Sequence, residues 1–178
     1  MLEGITRESI GTASAKKLRR DGYLTANIYA NGVENIQAAF KRGDFMKAVR
    51  RKEELSFGLT VDGKELKVVI QEYQLHPVHG DVVHVDLRVA VPGQVTNYLV
   101  PVYTTGTPKG LKNKGVLQIQ KKRMKVRGAI EDVPNNFTLD VTALDRDDSI
   151  LVRDIETPAN CRLMDRADVA VVGVIKAK

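Results

Sequence analysis

The stretch Gln71 to Arg88, QEYQLHPVHGDVVHVDLR, holds all three histidines of a chain with a single cysteine and no tryptophan. Within it His84 and Asp86 stand two residues apart in Val-Val-His-Val-Asp-Leu. In a β-strand that spacing puts both side chains on one face and sends Val83, Val85 and Leu87 to the other. Three chemistries suit such a set. Imidazoles and a carboxylate are suitable metal ligands, provided that His76 or His79 folds back towards His84, although a lone H-x-D lacks the spacing of the strong zinc motifs. A His84–Asp86 dyad would serve acid–base catalysis, but the chain offers no serine in a nucleophile elbow and no activated cysteine. In the third, imidazole and carboxylate hydrogen-bond base edges or ribose while cations elsewhere hold phosphates.

The elements that must position these groups follow from the local pattern. Gln74 and His76 repeat the two-residue spacing, His76-Pro77 ends a strand because proline lacks a ladder N–H, and His79-Gly80-Asp81 reads as a turn. The stretch is therefore a hairpin with a polar face. Upstream, Glu3 to Arg7 is a short strand, and Ser14 to Gly22 a short basic helix with Thr12 or Ser14 as N-cap and Gly22 as its stop. Lys16, Lys17, Arg19 and Arg20 cover most of that helix outside Ala15 and Leu18, the pattern of a solvated surface helix or of a phosphate-binding one. Tyr23–Ala30 and Val33–Phe40 flank Asn31-Gly32, a type I′ hairpin signal, with Tyr29 at the rim. Asp44 is expected to cap a second helix, Phe45–Lys52. Leu55–Val61 and Lys64–Tyr73 form another hairpin around Asp62-Gly63, and Asp81–Val91 completes the inventory of a small closed or nearly closed barrel.

Val91-Pro92-Gly93 marks a domain boundary, giving units 1–91 and 92–178. The second unit reads as strands at Val95–Thr104, Gly115–Gln120, Lys122–Arg127, Phe137–Val141, Ile150–Val152, Cys161–Met164 and Val169–Ile175. Between the first two lies a glycine- and lysine-rich loop, expected to be flexible, that lacks the ending of a phosphate-binding P-loop. The fold class is mainly β: a small N-terminal barrel with two short helices, then a mainly β C-terminal domain.

Composition narrows the function classes. An apolar fraction of 43% is enough to bury a core, and aromatics at 5% make that core aliphatic. The N-terminus has no apolar signal core and no apolar run is long enough to span a bilayer, so a soluble cytoplasmic protein without a membrane partner is expected. Cys161 is expected to be a small buried hydrophobe. The net charge is +6, and between Pro101 and Ile130 there are eight basic residues and no acidic one. Such clumping suits a polyanionic partner.

Taken together, the ordered blocks resemble one family. They are Leu18-Arg19-Arg20-x-Gly22-x-Leu24 followed by Tyr29, Gln74-x-His76-Pro77 followed by His84-Val85-Asp86, then Val100-Pro101-Val102, Gly106-Thr107-Pro108-x-Gly110, Gly115-Val116-Leu117-Gln118 and Asp140-Val141-x-x-Leu144. The chain is similar over its whole length to the bacterial large-subunit ribosomal proteins that bind 5S rRNA, in the long two-domain form also called the general stress protein CTC type. The resemblance implies no enzyme activity and no cofactor or metal. It implies 5S rRNA as partner of the first domain, with Arg7, Lys16, Lys17, Arg19 and Arg20 on phosphates. Tyr29, His84 and Asp86 then form the specific surface, joined by Gln74, His76 and Arg88. It also implies a place on the ribosome, while the acid-free basic run of the C-terminal domain, through Lys109, Lys112, Lys114 and Lys121 to Arg127, is expected to touch other rRNA or a neighbouring ribosomal protein. The chain departs from the family pattern at Thr25, where proline is common, at Ala30, where glycine often follows the tyrosine, and at Leu87, where phenylalanine is usual. The competing readings are a small metal-dependent or His/Asp hydrolase and a general RNA-binding stress protein.

Overall fold

The computed structural model describes residues 2–7, 11–30 and 32–176, and Val33 by its backbone alone. The chain divides into two compact units, Met1–Val91 and Pro92–Lys178. The first runs β1 (Leu2–Thr6), α1 (Thr12–Arg20), β2 (Tyr23–Ala30), β3 (Val33–Lys41), α2 (Arg42–Arg51), β4 (Ser56–Val61), β5 (Lys64–Leu75) and β6 (Val82–Val89). Its six strands close into a barrel in the order β1-β3-β2-β6-β5-β4. Closure depends on two parallel contacts, β1 with β4 and β2 with β6, while the other neighbours are antiparallel.

Leu24, Ala26 and Ile28 of β2, Leu59 and Val61 of β4, Val68 of β5 and Val85 and Leu87 of β6 fill the interior. Phe40 and Phe45 close one part of it, with ring centroids 6.0 Å apart. Inward apolar and outward polar residues alternate along β2, as a half-buried strand requires. The turn between β4 and β5 is the expected one: Asp62 and Gly63 both have positive φ, 48° and 79°. Asn31 of the other predicted turn lies outside the described residues.

Both helix starts differ from expectation. The N-cap of α1 is Gly11, with no side-chain cap, so Thr12 and Ser14 are inside the helix. Its C-terminus matches: Gly22, at φ 82°, donates its N–H to the Arg19 carbonyl at 3.2 Å. Helix α2 begins at Arg42, and Asp44 lies in its first turn, where its carboxylate still meets the dipole.

The second unit contains β7 (Thr96–Thr105), β8 (Gly115–Ile119), β9 (Arg123–Gly128), β10 (Phe137–Asp140), β11 (Ser149–Leu151), β12 (Arg162–Leu163) and β13 (Ala170–Lys176). They form two sheets, β10-β7-β9-β12 and β11-β13-β8. The mainly β expectation is borne out in both units. The glycine-rich loop, however, is pinned rather than free. It carries a 3-10 turn at Lys109–Leu111, and a Cβ on Gly115 would stand 2.6 Å from the Gly110 carbonyl oxygen. Glycine there is a packing requirement.

Candidate nucleic-acid interface

The outward face of β2, β6 and β5 gathers most of the polar residues singled out in the sequence. Parallel pairing sets Thr25 beside His84, Asn27 beside Asp86 and Tyr29 beside Arg88. Antiparallel pairing on the other side sets Gln74 beside His84 and Glu72 beside Asp86. Directly paired residues share a face, so three strands present one contiguous polar surface.

Two bulges make this surface possible. Strict alternation would put Glu72 and Gln74 on the same side as Val68 and Ile70, inside the barrel. The ladder instead slips between Ile70 and Glu72, which leaves Gln71 as the extra residue and turns the polar pair outward. A second slip, between Gln74 and Leu75, makes Val83 the extra residue of β6. That corrects the expected placement of Val83 on the packed face: Val82 packs on the core, and the Val83 carbonyl faces outward to α1. It accepts Arg19 Nε–H at 3.2 Å and the Thr25 hydroxyl at 3.1 Å. Thr25 is 1% exposed. The threonine found where proline is common thus ties the bulge to β2, and Arg19 ties the basic helix to the strand that carries His84.

His84 is half-buried, and its Nδ1 lies 3.9 Å from Asp86 Oδ1, beyond hydrogen-bond reach. Among the described residues that Nδ1 finds no hydrogen-bond partner. Burial pushes the imidazole pKa below its ordinary 6.5; Asp86 pulls it upward, and the Arg19 and Arg7 guanidinium groups push it down again. The ring is therefore neutral at neutral pH, able to donate from one nitrogen and accept at the other. Beside it, the Arg88 guanidinium sits 5.4 Å from the Tyr29 ring centroid, a cation–π contact. Burial raises the Tyr29 pKa, Arg88 lowers it, and Asp86 and Glu72 raise it, so the phenol keeps its proton.

The remaining residues divide. Lys16, Lys17 and Arg20 are exposed on α1, and among the described residues no ion pair holds them. Arg7 follows β1, and its N–H donates to the Gln37 carbonyl at 2.8 Å. His76 lies in the turn after β5: its Nδ1 accepts the N–H groups of Val78 and His79, each at 3.3 Å, and its ring stacks on that of His79 at 4.8 Å. This ring braces the turn. Asp81, at the end of that turn, pairs with Arg42 at 2.7 Å. No group of three or more His, Cys, Asp or Glu able to hold a metal occurs among the described residues. Sequence reasoning missed Asn27 and Glu72. The alternation Thr25, Asn27, Tyr29 against Leu24, Ala26, Ile28 could have found Asn27, whereas Glu72 needed the bulge.

In the second unit, Cys161 is only partly buried; its thiol donates to the Asp132 carbonyl at 3.3 Å, and burial raises its pKa. Lys121 of the acid-free run pairs with Asp165, whose other oxygen accepts the Lys125 N–H at 3.0 Å.

Two family models match the chain: the Ribosomal L25p family over residues 2–87, and the C-terminal domain of ribosomal protein TL5 over residues 96–178. Among curated relatives, "Large ribosomal subunit protein bL25" of Nitratiruptor sp. is 60% identical, that of Campylobacter lari 55% and that of Sulfurimonas denitrificans 53%. In each comparison all 178 residues align and both chains are covered completely. The chain therefore belongs to the bL25 family of bacterial large-subunit ribosomal proteins, in its two-domain form.

Proposed function

We propose that this protein is a non-enzymatic structural component of the large ribosomal subunit that binds 5S rRNA through its first unit. The observation that carries the reading is the three-strand face on which a neutral imidazole, a carboxylate and a tyrosine clamped by arginine lie beside the basic helix α1. Arg19, Arg20, Lys16, Lys17 and Arg7 supply attraction to phosphates. His84, Asp86, Tyr29, Asn27 and Gln74 supply directional donors and acceptors of the kind that read splayed bases and ribose hydroxyls. Asp86 repels phosphate, so its place is opposite a base amino group or beside His84. His76 contributes by holding the turn, and Arg88 by holding Tyr29.

Binding of the full chain to a 5S rRNA transcript, compared with a structured RNA of similar length, tests this. Preferential binding that weakens steeply as salt rises is expected. Equal affinity for both RNAs would leave only a general RNA-binding protein. Stoichiometric metal in the purified protein would reopen the hydrolase reading.

A further inference from the structure

The sheet β10-β7-β9-β12 carries a second charged face, independent of the first unit. Tyr98, Val100 and Val102 of β7 and Met124 and Val126 of β9 are buried, so the residues between them point outward. On that outward side Arg127 pairs across the ladder with Arg162 of β12, and on its other flank with Asn97 of β7. Lys125, two residues before Arg127, extends the row. All three cations are exposed, and among the described residues no carboxylate lies within 4.0 Å of any of their charged groups. Asp165 is paired with Lys121 and feels the Lys125 charge only at longer range.

Directly opposed like charges destabilise a sheet, so Arg127 opposite Arg162 is unfavourable for folding alone. A polyanion laid across the strands reverses the sign. The same face ends in an exposed aromatic: Tyr103 follows Asn97 and Leu99 in outward phase on β7 and is 57% exposed. Six residues of strand span about 20 Å, which separates the cationic end from the tyrosine by several nucleotides' worth of backbone. Cations with a solvent-facing aromatic suit RNA better than an acidic protein surface, because every base offers a face to stack while its phosphates meet guanidinium groups.

We infer that the outward face of β7, β9 and β12 is a second RNA-binding surface, with Lys125, Arg127 and Arg162 on phosphates and Tyr103 under an unpaired base. It needs only the presence of rRNA beyond 5S in the subunit and does not depend on the 5S reading.

The test uses the full chain carrying Lys16→Ala, Lys17→Ala and Arg20→Ala, which removes the exposed cations of α1, with 23S rRNA transcript as probe and wild-type binding to 5S rRNA measured separately. Adding Lys125→Glu, Arg127→Glu and Arg162→Glu should flatten the salt dependence by about two log units per log of salt, at roughly 0.7 per lost phosphate contact. Tyr103→Ala should weaken binding about 5- to 150-fold while Tyr103→Phe leaves it within about twofold. The corresponding three glutamine substitutions keep the test open if charge reversal disturbs folding, as judged by thermal melting. Unchanged affinity and slope in the cation variants would overturn the proposal. So would displacement of the RNA by polyglutamate at equal charge concentration, which would assign the face to an acidic protein. Failure of wild-type binding to 5S rRNA would instead overturn the first-unit reading and leave this one standing.

Discussion

The outward faces of the two units differ in how their charges are held. On β2-β6-β5 nearly every polar group has a neighbour that tunes it: Arg19 is tethered to Val83, Arg88 lies against Tyr29, and His84 is kept neutral by burial and by two arginines. On β7-β9-β12 three cations stand exposed, with two of them opposed. The contrast separates two contributions to RNA recognition. A pre-positioned, partly desolvated set can discriminate, because a wrong base leaves its buried groups unpaired. A solvated cationic row attracts any phosphate backbone and loses that attraction to salt.

The largest expected effect removes one face and spares the other. Leu87 is fully buried directly behind Asp86 and Arg88. Leu87→Ala should destabilise the first unit by about 2–5 kcal/mol through lost burial and a residual cavity. Two thermal transitions should result, the earlier one abolishing 5S rRNA binding. A single transition shifted as a whole would show that the units do not unfold independently.

Next in size is the division of labour within the first face. Asp86→Ala should cost about 1–3 kcal/mol of discrimination between 5S rRNA and a control RNA, with little change in salt slope. Arg20→Ala, which removes an exposed cation from α1, should do the reverse: uniformly weaker binding and a slope shallower by about one. Identical responses of the two variants would erase the distinction between reading and attraction.

Much of this organisation was legible in the chain. The period of two placed His84 and Asp86 together, Asp62-Gly63 fixed its hairpin, and Gly22 fixed the end of α1. Three features were not. Parallel pairing of β2 with β6 joins residues roughly sixty apart, a long-range contact that no local pattern encodes, and it is what brings Tyr29 to Arg88. The bulges at Gln71 and Val83 reverse the facing of the residues beyond them, and neither position carries the glycine that often marks one. The braced turn of His76 depends on a ring nitrogen accepting two backbone N–H groups, which residue type alone leaves open. The helix starts were misplaced because α1 uses Gly11 and α2 uses Lys41, neither offering a side-chain cap.

A smaller effect concerns the turn that carries His76 and His79. Asp81→Ala breaks the pair with Arg42, but both side chains are about half exposed, so solvent screening limits the loss to about 0–1 kcal/mol. The 5S affinity should stay within a few-fold of wild type. A larger loss would mean that this ion pair sets the hairpin's position on the RNA.

The smallest effect is a slope with pH. The folded-state pKa of His84 lies below its ordinary 6.5, so between the two values the unfolded chain binds the proton more readily than the folded one. Stability from keeping His84 neutral is therefore complete above about 6.5, falls as pH drops through 6.5 towards the folded value, and levels off below it. His84→Gln keeps a polar side chain and removes the titration, so its first-unit melting temperature should follow pH less steeply across that window than wild type. RNA reverses the local field: phosphates beside the ring favour its protonated form. Binding of wild-type protein should consequently strengthen as pH falls from 7.5 to 6, and the glutamine variant should lose that trend. The cationic face of the second unit carries no histidine, so its binding to 23S rRNA should stay flat over the same range. A parallel pH response from both faces would place the titrating group on the RNA.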